Sequence, residues 1–462
     1  ANPDGSLSGE RRAPALPQTP APGLVEFDAD ALATSALALA TQSIGADGPA
    51  DGVAITSQRA STVVWNPATG RAVAPGQGWQ DLRTVGDCLV LAADGLRLAP
   101  NHSATKVANI LGQVDPDRST GLLSGTIDTW LAWSLSGGST FVTDASNASL
   151  TGLATNAADA WNAAVLDALN IPPESLATIG DSLGALGTLD LLPGAPPLLA
   201  VLGDQQASMI GQGAVVPDAA KITFGTGGML DVCTPGDRPA VPRTTAGCFP
   251  IAGWSAGGQR TWALEAIMLS AGTNVEWLRD DLGIIDDTAQ SDELAASVDD
   301  ADGVVFVPAP LGLGTPHWDY GARSGLFGLT RGSTKAHVAR AVLEGVAQRG
   351  AELLAAAEAD SGASIDALRV DGGMSQNRTF IQALANAIQR PVEVSPVLEA
   401  TARGGGLAAG VALGWFESVP ALADLWQPAE VIEPNGAFSA DRWAEAVRRV
   451  GGWHPELSAI NF

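Results

Sequence analysis

The chain has 462 residues, which predicts two or more domains because single hydrophobic cores stop growing near about 250–300 residues. Apolar residues make up 46% and charged residues 16% of the sequence, a balance that argues against disorder. The formal net charge of −25 would repel nucleic acid and anionic membranes, so neither is an expected partner.

The first half of the chain alternates β-branched runs with alanine-rich runs, which predicts an α/β fold. The chain opens on a turn signal at Ala1–Gly5. The predicted elements after it are a helix at Ala31–Ala40, strands at Gly52–Thr56 and Thr62–Trp65, a helix over Ala154–Leu169, and a buried strand at Pro197–Leu202 ending at Gly203-Asp204.

The second half begins near Pro217 and repeats this alternation, so the sequence predicts two α/β lobes around a cleft. Its predicted elements are a hairpin of Lys221–Phe224 and Met229–Cys233 around a glycine-rich turn, a strand at Gly303–Pro308, a helix at Val338–Glu358, a strand at Ala367–Val370, a helix from about Asn377, and a helix at Leu407–Gly414 opened by Arg403–Gly406.

The cysteine pattern and the lengths of the apolar runs bear on the cellular location of the protein. Cys88, Cys233 and Cys248 are odd in number and irregularly spaced, which predicts neither a disulfide framework nor a zinc site. No apolar run reaches the roughly 18–20 residues that a membrane span requires. A cytoplasmic protein is therefore expected.

Three short segments suggest phosphate chemistry. The turn Gly225–Gly228 would let backbone N–H groups approach a phosphate, and Thr226 adds a hydroxyl; the alternative is an ordinary tight hairpin. Asp204 at a strand's carboxyl end could accept a hydroxyl proton, although an Asp after Gly is also a common turn or cap residue. The strand, Gly-Gly turn and helix start of Leu368–Asn377 could support a nucleotide or simply connect two elements.

The order and spacing of these segments resemble the FGGY carbohydrate kinases, and within them the glycerol kinase branch. The resemblance covers nearly the whole chain. It is carried by the segments Ser57–Gly70 (SQRASTVVWNPATG), Gly78–Thr84 (GWQDLRT), Gly125–Gly138 (GTIDTWLAWSLSGG), Val142–Leu153 (VTDASNASLTGL), Gly203–Gly213 (GDQQASMIGQG), Phe224–Gly228 (FGTGG), Ser324–Gly345 (SGLFGLTRGSTKAHVARAVLEG) and Asp371–Asn377 (DGGMSQN).

The resemblance implies a fold and an activity. The fold would be two ribonuclease-H-like lobes of the actin/hexokinase-like ATPase kind around a central cleft. Residues 1–214 would form a mainly substrate-binding lobe, residues 215–450 a mainly ATP-binding lobe, and residues 451–462 a tail. The activity would be the transfer of the γ-phosphate of ATP, with Mg²⁺, to a primary hydroxyl of a small polyol or sugar, with glycerol first. A homodimer is the assembly to test.

The resemblance also implies site residues by their positions in this sequence. Asp204 would be the catalytic base and would contact the metal through water. The substrate pocket would contain Arg59, Trp79, Asn101, Asp204, Gln205 and Met229. The ATP site would contain Gly225, Thr226, Gly227, Gly272, Glu276, Gly372, Gly373 and Asn377.

Departures from the family pattern cluster in the substrate pocket. Arg59 is followed by Ala60 where the family has Glu, and Asn101 and Met229 stand where Tyr and Phe are expected. Losing a hydroxyl-binding group alters selectivity strongly. These departures favour, as an alternative to glycerol, a somewhat larger polyol or sugar, since Ala60 and Asn101 leave room. Asn109 and Glu276 replace an expected Trp and Gln, and no fructose 1,6-bisphosphate loop precedes Gly203.

The opening of the chain departs as well. Residues 1–12 (ANPDGSLSGERR) are expected to hold the turn and second strand that follow the family's first strand and phosphate loop. Three functions stay open at this point. They are a glycerol or near-glycerol kinase, an FGGY kinase for another acceptor such as a tetritol or pentulose, and a non-catalytic nucleotide-binding protein.

Overall fold

The computed structural model describes residues 1–234, 236, 238 and 243–460. The strands are β1 (Glu26–Phe27), β2 (Val53–Ser57), β3 (Thr62–Asn66), β4 (Arg71–Ala72), β5 (Gly76–Gln77), β6 (Leu123–Thr126), β7 (Val142–Asp144), β8 (Thr178–Gly180), β9 (Leu183–Thr188), β10 (Pro197–Gly203), β11 (Ala220–Phe224), β12 (Gly228–Thr234), β13 (Phe249–Ala256), β14 (Gln259–Met268), β15 (Val305–Val307), β16 (Gly325–Phe327), β17 (Leu368–Asp371), β18 (Val392–Val394) and β19 (Glu430–Ile432).

The helices alternate with these strands, as the composition predicts. They are α1 (Ala29–Asp47), α2 (Val85–Ala93), α3 (Ser103–Val114), α4 (Ile127–Leu135), α5 (Ala145–Ala148), α6 (Ala163–Leu169), α7 (Asp204–Gly211), α8 (Thr273–Asp280), α9 (Gln290–Ala296), α10 (Lys335–Ser361), α11 (Arg378–Ile388), α12 (Ala400–Ala412), α13 (Ala440–Val450) and α14 (Pro455–Ser458). None of the described helices combines the length and the apolar character needed to cross a membrane.

A ten-stranded sheet runs through both halves of the chain in the order β19-β18-β17-β11-β12-β14-β13-β9-β10-β2. The strands β9, β10 and β2 come from the first half, and the other seven come from the second half. The two groups meet where β13 pairs with β9 through one register pair, Ala256 with Leu183. A separate sheet of β1, β5, β3, β4 and β6 belongs to the first half.

The core of the second half packs the sheet against α10 and α11. Phe224, the last residue of β11, is fully buried and makes an edge-to-face contact with Phe380 of α11, with ring centroids 4.8 Å apart. Aromatic pairs of this geometry stabilise beyond their buried area. The contact therefore anchors the end of β11, immediately before the glycine-rich turn.

Helices α7 and α12 cross at a contact made by small residues. A Cβ atom added to Gly404 would lie 1.7 Å from the carbonyl oxygen of Ala207, and one added to Gly211 would lie 2.0 Å from that of Ala400. The buried Arg403 donates a hydrogen bond to the carbonyl of Gly211 at 2.7 Å. This close approach fixes α7, whose first residue is Asp204.

Three predicted elements are wrong in extent or in kind. The helix over Ala154–Leu169 is confined to α6, because Asn162 caps its start by accepting the N–H of Ala164 and an isolated bridge joins Ala154 to Trp161. Residues 1–12 contain a turn but no strand. The last predicted helix begins at Ala400, so Arg403–Gly406 lie inside α12, where the glycines serve the α7 contact. The predicted glycine-turn hairpin is confirmed as antiparallel β11–β12.

Candidate active site

Asp204 lies where β10 ends and α7 begins. Its Oδ1 accepts the backbone N–H of Gln205 at 2.8 Å, and 32% of its side chain is exposed, so the carboxylate faces solvent. Gly203 precedes it, and a Cβ atom there would lie 2.7 Å from the side chain of Arg59. Glycine at this position therefore allows an arginine to pack beside the carboxylate.

Arg59 reaches Asp204 from the loop that follows β2, the parallel neighbour of β10. Because Gly203 pairs with Ser57, the carboxyl ends of both strands lie at the same edge of the sheet. The Nε of Arg59 is 3.4 Å from Asp204 Oδ1, and its Nη2 is 2.7 Å from the buried Glu265 Oε2. Its Nη1 is buried and has no hydrogen-bond partner among the described residues.

Gln205, next to Asp204, is oriented by a lysine. Lys221 of β11 is fully buried and its Nζ donates to Gln205 Oε1 at 2.6 Å and to Thr223 Oγ1 at 3.1 Å, while pairing with Asp231 at 2.6 Å. An ammonium group can only donate, so the Gln205 oxygen must face it. The Nε2 of Gln205 is left to donate elsewhere.

The predicted pocket residues Trp79 and Asn101 lie in two segments that a second buried lysine connects. Lys106 Nζ donates to the carbonyls of Pro100 at 2.7 Å and His102 at 3.1 Å, and it lies 3.5 Å from the carbonyl of Trp79. Burial lowers the pKa of Lys106 to about 7. Trp79 is half-buried, and Asn101 is exposed.

The other positions singled out in the predicted substrate pocket are Met229, Ala60 and Asn109. Met229 is half-buried on β12, opposite Thr223 of β11. Ala60 is buried and adopts a left-handed backbone with φ of 61°. A non-glycine residue in this region stores strain, which is common at functional sites. The Asn that replaces an expected Trp, Asn109, accepts a hydrogen bond from Gln77 at 3.0 Å.

The glycine-rich turn is fixed to the start of α8. The carbonyls of Gly225 and Thr226 accept the N–H groups of Gly272 at 2.9 Å and Ala271 at 2.8 Å. A Cβ atom would lie 2.6 Å from the Gly225 oxygen if added to Gly272, and 2.7 Å from a carbonyl oxygen if added to Gly227. Gly225 and Thr226 are themselves exposed. The turn therefore presents its backbone and one hydroxyl to solvent from a rigid support.

Gly372 brings a third predicted segment to the same place. It has a φ of 88°, and a Cβ atom there would lie 2.4 Å from the carbonyl oxygen of Phe224, the residue before the glycine turn. Gly373, which follows, has open space at its Cβ position. The structure thus brings together the segments of Gly225–Gly227, Gly272 and Gly372–Gly373.

The last two residues predicted for the ATP site are Asn377 and Glu276. Asn377 caps α11 by accepting the N–H of Phe380 at 2.8 Å, and its Nδ2 donates to Ser291 at 3.0 Å. Its side chain therefore has a structural function in α11 and α9. Glu276 is exposed in the first turn of α8.

Ser208 connects the Asp204 end of the site to the glycine end. It lies one turn along α7 from Asp204, with its Oγ 3.3 Å from Thr223 Oγ1, and it donates to Asp371 Oδ2 at 3.1 Å. Thr223 and Asp371 lie shortly before Gly225 and Gly372. Burial raises the pKa of Asp371, and the charge of Lys221 opposes that rise.

Sequence reasoning missed four residues of this site: Lys106, Ser208, Lys221 and Glu265. A signal was present for two of them, because Lys221 and Glu265 are charged residues inside mainly apolar stretches, AKITF of β11 and WALEAIM of β14. Buried charges need partners, so such positions point to an ion-pair network.

Comparisons with known proteins identify the family of the chain. The profile of the FGGY family of carbohydrate kinases, N-terminal domain, matches residues 1–211, and that of the C-terminal domain matches residues 220–413. The glycerol kinase of Aromatoleum aromaticum is 39% identical over 97% of this chain and 95% of its own length. That of Rhodopirellula baltica is 38% identical over 97% of this chain and 88% of its own length.

Solved structures show the same fold. A crystal structure of Plasmodium falciparum glycerol kinase with ADP has a TM-score of 0.86 at 26% identity, over 100% of this chain and 95% of that one. Xylulose kinase from Rhodospirillum rubrum has a TM-score of 0.78 at 21% identity, over 96% and 93% of the two chains. The predicted two-lobe α/β fold is confirmed. The chain belongs to the FGGY family of carbohydrate kinases and is an ATP-dependent sugar or polyol kinase.

Proposed function

We propose that this kinase transfers the γ-phosphoryl group of ATP to a primary hydroxyl of a small polyol, with glycerol as the first acceptor to test. The observation that carries the proposal is the solvent-facing carboxylate of Asp204, beside Arg59 and connected through Ser208 to the glycine turn. The relatives that cover nearly the whole chain are named glycerol kinases, which supports glycerol.

Asp204 acts as the general base in this proposal. It accepts the proton of the attacking hydroxyl as the oxygen approaches phosphorus in line with the leaving ADP. Arg59 Nη1 and Gln205 Nε2 donate to other hydroxyls of the acceptor, because the first has no partner in the described residues and the oxygen of the second is held by Lys221. Trp79, Asn101 and Met229 border the acceptor.

The terminal phosphates of ATP are proposed to bind at the glycine turn. Thr226 offers a hydroxyl there, and Gly225 and Gly227 allow close approach of the backbone. Gly272, Glu276, Gly372, Gly373 and Asn377 are the proposed nucleotide contacts. For Asn377 the backbone is the available group, because its side chain caps α11.

Mg²⁺ is the proposed metal. It is usually held by one or two carboxylates together with substrate phosphates, and it keeps several of its waters. The half-buried Asp204, with a partly exposed carboxylate, fits that pattern through a bridging water, and the described residues contain no group of three or more His, Cys, Asp or Glu that could cage an ion. When bound, the ion would neutralise charge on the phosphates.

In this proposal each lobe binds mainly one of the two substrates. Residues 1–214 bind mainly the acceptor and residues 215–450 mainly ATP, with residues 451–460 of the tail packed on the loop at Gly321 through a hydrogen bond from the N–H of His454 at 2.9 Å. Residues 461–462 lie outside the described part. The homodimer and the cytoplasmic location stay predictions; all three cysteines are free and buried.

A different acceptor, such as a tetritol or a pentulose, is the second candidate. Ala60 supports it, because a buried methyl group occupies the position where a carboxylate was expected beside Arg59. A coupled assay of ADP release over glycerol, tetritols and ketopentoses tests both candidates. The highest kcat/KM for glycerol would remove the second candidate.

Asp204→Asn tests the chemistry and the non-catalytic alternative together. The amide cannot accept the proton, so turnover should fall by about 10²–10⁴-fold while ADP binding is retained. Turnover of the wild type on any polyol, lost in this variant, excludes a protein that only binds nucleotide. Wild-type turnover in Asp204→Asn would refute the assignment of the base.

A further inference from the structure

A row of buried charges crosses the sheet beneath the proposed acceptor pocket. Lys221 of β11 lies opposite Asp231 of β12, which lies opposite Glu265 of β14. Cross-strand partners point to the same face of a sheet, and all three side chains are buried. Each charge therefore depends on its immediate neighbours for compensation.

The pairing within the row is unequal. Lys221 and Asp231 neutralise each other at 2.6 Å, and Lys221 also holds Gln205. Among the residues that the structure describes, Glu265 has one cation within ion-pair distance, Arg59, at 2.7 Å. Burial raises the pKa of Glu265, and the guanidinium opposes that rise.

Arg59 is thus shared between two carboxylates and lies nearer to Glu265. Its distance to Glu265 is 2.7 Å and its distance to Asp204 is 3.4 Å. Glu265 is buried, whereas the side chain of Asp204 is 32% exposed, so the Coulomb attraction of Arg59 toward Glu265 is screened less. Glu265 therefore holds the guanidinium of Arg59 on its buried side, and the guanidinium only partly neutralises the carboxylate of Asp204.

We propose that Glu265 is a positioning residue for the phosphoryl transfer, which holds Arg59 against the pocket wall and keeps it from pairing fully with Asp204. A base that is fully paired with a guanidinium loses its tendency to accept a proton. A guanidinium anchored by Glu265 remains near enough to bind the acceptor. The inference rests on the proposed function and adds a residue to that site.

The test is Glu265→Gln, which keeps the size and removes the charge. Arg59 then has Asp204 as its remaining close carboxylate. The other charged groups that face Glu265 and Arg59, Lys221 and Asp231, stay paired with each other. We expect kcat/KM for the acceptor to fall about tenfold at neutral pH, and the acidic limb of its pH profile to move lower by about one pH unit.

Glu344→Gln is the matched control. Glu344 is a partly buried carboxylate of the second half whose pKa burial raises, and it pairs with Arg340 on α10, away from the pocket. Its substitution should leave the pH profile unchanged. An unchanged profile in a folded Glu265→Gln variant would mean that Glu265 only neutralises Arg59 for folding, and would overturn the inference.

Two further measurements cover the remaining outcomes. If Glu265→Gln does not fold, Glu265→Asp keeps the charge but shortens the reach, and it should shift the acidic limb in the same direction; a wild-type limb there overturns the inference. The wild type is assayed first on the acceptor panel. A wild type without turnover refutes the proposed function itself, whereas an active wild type with an insensitive Glu265 refutes only this inference.

Discussion

At the residue scale, buried charges outside the pocket set the response of this protein to pH. Asp128 of α4 is fully buried and accepts hydrogen bonds from Thr126 at 2.5 Å and Thr143 at 2.7 Å. Burial raises its pKa to about 6, because desolvation outweighs those hydrogen bonds. The folded state therefore binds this proton more tightly than the unfolded state does.

Asp128→Asn should remove that dependence. A pKa of about 6 in the folded state, against 3.8 when unfolded, means that the protonated Asp128 stabilises the folded wild type at pH 4. This contribution to the free energy of unfolding, about 2 kcal/mol, is lost as the pH rises to 7. The variant should thus gain about 2 kcal/mol relative to the wild type over that interval. Urea unfolding of both proteins at the two pH values measures it, and a constant difference would contradict the prediction.

The lysine that holds Gln205 leads to a second residue-scale prediction. Lys221→Met leaves Asp231 as an uncompensated buried charge, which should cost about 3–5 kcal/mol in free energy of unfolding. Adding Asp231→Leu removes both partners and should restore much of that loss. Denaturant unfolding of the single and double variants decides the matter; a double variant no more stable than the single one would contradict it.

At the element scale, the crossing of α7 and α12 matters most, because α7 begins with the proposed base. The two helices approach so closely that neither Gly404 nor Gly211 has room for a methyl group. Thr401 of α12 also donates to the carbonyl of Asp204 at 3.1 Å. A shift of α12 would therefore move the carboxylate itself.

Gly404→Ala should separate these helices. The added Cβ atom would lie 1.7 Å from a backbone oxygen, so we expect a loss of about 3 kcal/mol or more in unfolding free energy, together with reduced kcat. Gly45→Ala on α1 is the matched control, because nothing lies within 4 Å of its Cβ position. That variant should be neutral or stabilised by about 0.5–1 kcal/mol. Thermal unfolding of both variants provides the comparison, and similar effects would refute it.

The sequence predicted the elements that local patterns specify, and missed what depends on packing. The glycine-turn hairpin and the strand ending at Asp204 were predicted because apolar runs and glycines mark them directly. The predicted extent of the helix over Ala154–Leu169 was wrong, because the alanine content favoured a long helix whereas the cap at Asn162 sets its start. Glu265 and Lys221 were missed because only the register of β11, β12 and β14 brings them to the pocket.

At the scale of the whole molecule, the net charge of −25 acts on a substrate that is itself strongly negative. Two cations of the proposed site are already paired, since Arg59 pairs with two carboxylates and Lys221, which holds Gln205, pairs with one. The overall field therefore opposes the approach of ATP.

Added salt should consequently raise kcat/KM for ATP. Raising the ionic strength from about 10 mM to about 150 mM shortens the screening length from roughly 30 Å to 8 Å, so kcat/KM for ATP should rise rather than fall. The matched control is kcat/KM for an uncharged polyol in the same buffers, which should change little. A falling value for ATP would indicate a locally positive entrance that overrides the net charge.

The pair Ala256–Leu183 is the shortest strand pairing in the ten-stranded sheet. Strands β12 and β14 share seven register pairs, so bending between them would break a long ladder of backbone hydrogen bonds. The joint between β13 and β9 has one pair, with the N–H of Ser182 bonded to the carbonyl of Ser255 at 2.8 Å. Asp204 lies on one side of this joint and Thr226 on the other. Any rotation there would also have to displace the side-chain contacts that cross the joint, Lys221 with Gln205 and Arg59 with Glu265, so these contacts control the spacing of acceptor and phosphate together with the backbone.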